Sequence, residues 1–95
     1  MSLYMKADEL GEPYATFMIG YCYYSGDGAV KDQSTAVEWF KKAADMGYPE
    51  AMNLLGICYE YGEGIAKNTR VAFEWFQKAI DAGSVNALYS ALTMN

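Results

Sequence analysis

The 95-residue chain contains no histidine at all. That removes the Ser-His and Cys-His nucleophile pairs and the commonest metal ligand, so hydrolytic and zinc chemistry lose their usual parts. Basic residues are few, seven against twelve acids, and they occur singly or as the Lys41-Lys42 pair. Binding to nucleic acid or to an anionic membrane surface needs clustered cations, and the net charge of −5 opposes both. No run of about 18 apolar residues is present, so no segment is expected to insert in a membrane. No cationic leader followed by an apolar stretch opens the chain, which fits a cytoplasmic setting and leaves an exported parent open.

Proline occurs twice and cysteine twice, and the positions of these four residues are informative. Pro13 and Pro49 are 36 residues apart, and so are Cys22 and Cys58. Equivalent positions on neighbouring helices stand about 8–10 Å apart, beyond the reach of a disulfide, so packed free thiols are expected.

What the chain does have is a repeat. Residues 15–50 align with residues 51–86 without a gap, and 15 of the 36 positions are identical, among them Gly20/Gly56, Tyr23/Tyr59, Gly26/Gly62, Trp39/Trp75 and Phe40/Phe76. A fixed period in the range of 20–50 residues is the signature of stacked supersecondary units that cannot bury their apolar faces alone.

Each unit reads as two helices punctuated by glycine. Helix A opens at Pro13 or Pro49, where the missing N–H costs nothing. It runs to about Tyr24 or Glu60 and ends in Gly26-Asp27-Gly28 or Gly62-Glu63-Gly64. Helix B is capped by Asp32 or Asn68 and carries Ala36, Trp39, Phe40 and Ala43 on one face. Gly47 and Gly83 stop it, and Ser84 is placed to cap a third helix A. Residues 1–11 align with 37–47 and read as the tail of an earlier helix B, while 87–95 begin a third repeat. The expected order is B-AB-AB-A, with both ends uncapped and self-association through them anticipated. Trp39 and Trp75 are expected to be the large wedges of helix B, and a close helix contact is expected at Gly20 and Gly56.

The spacing Ala15-x3-Ile19-Gly20-x2-Tyr23-x2-Gly26-x-Gly28-x3-Asp32-x3-Ala36-x2-Trp39-x2-Lys42-Ala43-x3-Gly47 resembles the Sel-one-like repeat, a 36-residue relative of the tetratricopeptide repeat. The second copy matches with Ala51, Leu55, Gly56, Tyr59, Gly62, Gly64, Ala72, Trp75, Lys78, Ala79 and Gly83, departing at Asn68. The third departs at Ala91-Leu92, where Leu55-Gly56 stood. The resemblance implies an all-α superhelix of antiparallel helices serving as a scaffold or adaptor for protein partners, in a family found in signalling, in membrane-protein quality control and among exported cysteine-rich bacterial proteins. The alternative is a structural or regulatory segment of a larger signalling or exported protein whose activity lies elsewhere.

The residues that the repeat does not share point to a site. Tyr14, Phe17, Tyr21 and Tyr24 form a stripe along helix A, and one repeat later the same positions hold Glu50, Asn53, Ile57 and Glu60. By analogy with tetratricopeptide repeats this face lines a concave groove, where aromatic rings make efficient anchors. The expected partner surface is Tyr14, Phe17, Tyr21 and Tyr24, extended by Asn53, Ile57, Glu60, Tyr61 and Tyr89. Glu50 and Glu60 would favour a protein or peptide with basic residues. The Gly-x-Gly loops read as turns, since no strand precedes them and too few carboxylates accompany them for calcium. No enzyme activity, cofactor or metal is expected.

Overall fold

A computed structural model of the chain describes residues 2–94, so positions 1 and 95 of the expected frame lie outside the described residues. Six α-helices follow one another: α1 (Ser2–Glu9), α2 (Pro13–Ser25), α3 (Gln33–Asp45), α4 (Pro49–Tyr61), α5 (Thr69–Asp81) and α6 (Val85–Thr93). Helices α2, α4 and α6 are the A helices and α1, α3 and α5 the B helices, which is the all-α superhelical order anticipated from the repeat. Each helix packs mainly on its neighbours in sequence, and α4 also touches α6. Local contacts of this kind build an elongated body of 37 × 25 × 17 Å.

The helix ends follow from side-chain chemistry. Pro13 and Pro49 occupy the first helical positions, after extended Glu12 and Tyr48 that make no side-chain cap. Gly26 and Gly62 adopt left-handed backbone with φ of 80° and 71°, and their N–H groups donate to the carbonyls of Cys22 and Cys58. Helix A therefore ends one residue later than the sequence suggests. Asp32 Oδ1 accepts from the Thr35 N–H at 3.1 Å and Asn68 Oδ1 from the Val71 N–H at 3.1 Å, so the Asp-to-Asn change keeps the cap. Ser84 caps α6 by accepting from the Ala87 N–H at 3.1 Å.

The core is a ribbon between layers. Ala36, Val37, Phe40, Ala43 and Ala44 of α3 meet Ala51, Leu55 and Cys58 of α4 in one buried cluster. Within each A–B pair the helices approach at a glycine. A β-carbon on Gly20 would stand 2.8 Å from Cδ1 of Phe40, and one on Gly56 would collide with the Phe76 ring. The roughly 1 kcal/mol that glycine costs inside a helix is offset by burying a whole phenylalanine ring.

This geometry corrects the assignment of the wedge. Phe40 and Phe76 are fully buried, whereas Trp39 and Trp75 are not. The residue facing the glycine takes the deep position. Its tryptophan neighbour sits at the rim and carries a lysine ammonium over its ring, Lys42 at 5.1 Å and Lys78 at 4.6 Å.

The cysteines are free and buried. Burial pushes the Cys58 thiol up to about 12, so it is an apolar filler rather than a nucleophile.

Candidate interaction face

The four aromatic residues of α2 are held in two tiers. Tyr14 and Tyr21 expose 52% and 42% of their surface, while Phe17 and Tyr24 lie half-buried against the α3–α4 cluster. Phe17 contacts Phe40 at 5.7 Å and Tyr48 at 5.2 Å between ring centroids, and Tyr24 contacts Phe40 at 5.9 Å. The outer rings rest on these: Tyr21 stacks on Phe17 at 6.2 Å and lies 6.2 Å from Tyr24, and Tyr14 meets Tyr48 edge-on. Tyr4 of α1 adds an edge contact to Tyr14, so the row runs from α1 across α2 to the α3–α4 junction. Aromatic pairs in such arrangements contribute about 0.5–1.5 kcal/mol beyond area burial, and they present the two exposed tyrosines on a rigid base.

The stripe is thus not separate from the core. Half of it packs the junction between the repeats, because Phe17 and Tyr24 lie against the buried cluster of α3 and α4. The same positions in α4 are also withdrawn from the surface, and among the described residues Asn53 Oδ1 is buried with no hydrogen-bond partner. Asn53 is 4% exposed, Ile57 and Glu60 are half-buried, and burial raises the Glu60 carboxyl against an opposing pull from Lys67.

Glu50 has a structural part as well. Both of its carboxylate oxygens are engaged at the start of α6, Oε1 accepting from Ser84 Oγ at 2.9 Å and Oε2 from Asn86 Nδ2 at 3.1 Å. It is a joint between helices, its carboxylate held at the start of α6 by two neutral donors. Tyr61 and Tyr89 are well exposed, at 68% and 72%.

One residue escaped the sequence argument. Glu63, in the Gly-x-Gly loop after α4, accepts a hydrogen bond from the Tyr24 hydroxyl at 2.7 Å through Oε1. Burial and this carboxylate together push the Tyr24 hydroxyl well above its usual range. The available signal was the acid shared by both loops, Asp27 and Glu63, but the contact joins residues 39 apart and follows only from how the repeats stack.

Other features lie apart from this face. An open cleft of about 320 Å³ is lined by Thr69, Arg70, Phe73, Ala91 and Met94, between α5 and α6. Among the described residues no cluster of three His, Cys, Asp or Glu side chains could hold a metal ion, and no helix is long and apolar enough to cross a membrane.

The Sel1 repeat family model matches residues 13–48 and 49–84. A Sel1 repeat protein from Oxalobacter formigenes superposes with a TM-score of 0.87 at 36% identity, over 94% of this chain and 67% of that one. A protective antigen present in uropathogenic Escherichia coli strains, displaying an SLR fold, superposes with a TM-score of 0.89 at 33% identity, over 95% of this chain and 19% of that one. Cysteine rich protein B of Helicobacter pylori follows with a TM-score of 0.84 at 29% identity, over 92% and 65%. The chain therefore spans about a fifth of the E. coli antigen and just under two thirds of the H. pylori protein. A search of curated proteins finds no match.

Proposed function

Because the chain belongs to the Sel1 repeat family, whose fold commonly serves as a protein-protein interaction scaffold, we propose that it binds a partner segment along the face of its A helices. The observation that carries this reading is the exposure of Tyr14 and Tyr21 on a packed aromatic base. Rings fixed by neighbours lose little conformational freedom on contact, which is what makes tyrosine effective at interfaces. The reading assigns Tyr61 and Tyr89, both exposed on α4 and α6, to the same partner surface. The role is that of an adaptor, with the chemistry carried by whatever it joins.

A displayed library of twelve-residue peptides, selected on the purified chain, tests the proposal. Selected peptides should lose binding to a Tyr14→Ala/Tyr21→Ala variant whose melting is unchanged. They should keep binding to Glu38→Ala, which alters an exposed residue of α3. Equal binding to all three proteins would remove the A-helix face as the site.

A second reading, a structural or regulatory segment within a longer protein, draws on the length of the E. coli antigen, of which this chain spans 19%.

A further inference from the structure

We propose that Tyr21, Tyr24 and Glu63 form a seat for a lysine or arginine side chain of an extended partner segment, an inference that rests on the A-helix face being the binding face. The argument begins with where the charges lie. None of the seven lysines and arginines is on α2, α4 or α6; they sit on α1, α3, α5 and the loops that precede the B helices. The A helices carry only acids, Glu50 and Glu60, with Glu63 immediately after α4. Cations are thereby confined to the B layer and its loops, while seven of the nine tyrosines lie on the A helices.

The acids of the A layer differ in what they have left to offer. Glu50 is used by Ser84 and Asn86. Glu63 has one oxygen tied to Tyr24 and no ion pair, for the ion pairs among the described residues join Lys41 to Glu38, Lys42 to Asp8 and Arg70 to Glu74. The Tyr24 hydroxyl holds the carboxylate at the outer end of its ring, and the Tyr21 ring lies 6.2 Å from that ring with 42% of its surface open. Tyr24 thus links the open Tyr21 ring to the Glu63 carboxylate, and a long cationic side chain laid across the two rings toward the Tyr24 hydroxyl is the group this arrangement would suit.

The molecule uses half of this arrangement elsewhere. Lys42 and Lys78 lie over Trp39 and Trp75, so an ammonium on an aromatic face is stable in this fold. On the A layer the rings are present and the cation is left to the partner. The net charge of −5 adds long-range attraction for a basic segment and repulsion for an acidic one.

The test uses the same displayed twelve-residue library, followed by synthesis of the selected peptides with each Lys or Arg replaced by Gln. Selected peptides should be enriched in Lys and Arg, and their affinity should fall with added salt. Replacing the key cation, or Glu63→Gln in the protein, should each weaken binding by about tenfold, and the two changes together by little more. The Glu63→Gln variant keeps an amide oxygen that accepts from Tyr24, so the fold is preserved, and melting curves check it. Peptides that need Tyr14 and Tyr21 yet bind Glu63→Gln as well as wild type overturn the cation seat alone. Peptides indifferent to all of these residues overturn the face as well.

Discussion

Gly20 and Phe40 form the tightest packing decision in the first repeat: a β-carbon on the glycine would lie 2.8 Å from the ring. The same relation recurs between Gly56 and Phe76, so the A–B angle is set by a ring pressed against bare backbone in both pairs.

Gly20→Ala should therefore destabilise the fold despite alanine's better helix propensity. Overpacking costs about 1–3 kcal/mol, against a propensity gain of about 1. Thermal unfolding followed by circular dichroism should show a lowered midpoint. Phe40→Leu should recover part of the loss when combined with Gly20→Ala, and additivity of the two changes would refute the contact.

The two aromatic neighbours of helix B should differ sharply. Phe40→Ala removes a fully buried ring and should cost about 3–5 kcal/mol. Trp39→Ala should cost less, because that ring sits at the rim with Lys42. Urea unfolding of the two variants decides it, and a larger loss at Trp39 would contradict the packing order.

Glu50 should act as a hinge pin for α6. Glu50→Ala removes both acceptors used by Ser84 and Asn86, with an expected loss of about 1–2 kcal/mol given their partial exposure. Hydrogen exchange should accelerate selectively at the α6 amides. Unchanged protection there would show that the joint is dispensable.

Asp8 should link the docking of α1 to pH. Its carboxylate accepts from Thr16 Oγ1 and pairs with Lys42 Nζ at 3.1 Å, and the Thr16 bond, aided by Lys42, holds its carboxyl below the ordinary value of 3.8. A depressed folded-state value stabilises the fold above the unfolded value and loses that contribution as pH falls through the folded one. Unfolding midpoints should thus drop below about pH 4, and part of that drop should be missing in Asp8→Asn. Parallel acid profiles for both proteins would rule the linkage out.

Much of the architecture was legible because local chemistry repeats. The prolines opening α2 and α4, the Asp32 and Asn68 caps, and Gly26 and Gly62 closing the A helices each act within a few residues of themselves. The exposure of the candidate face was legible in part. Tyr14 and Tyr21 stand open while Phe17 and Tyr24 do not, and comparing repeats could not separate binding from packing. Positions 14 and 50 both touch the residue before the next A helix, Tyr14 meeting Tyr48 edge-on and Glu50 accepting from Ser84. The repeats share that contact and differ only in its chemistry, so a difference in residue type is no proof of a difference in role.

The period, the helix order and the separation of cations from the A helices depend only on spacing and identity along the chain, and so are readable from it. Tertiary structure decided which of two adjacent aromatics fills the glycine gap, that Glu50 is consumed as a joint, and that Tyr24 and Glu63 meet across 39 residues. These depend on the angle and depth at which layers stack. That geometry arises from ring-against-backbone packing between helices, and no single helix carries it.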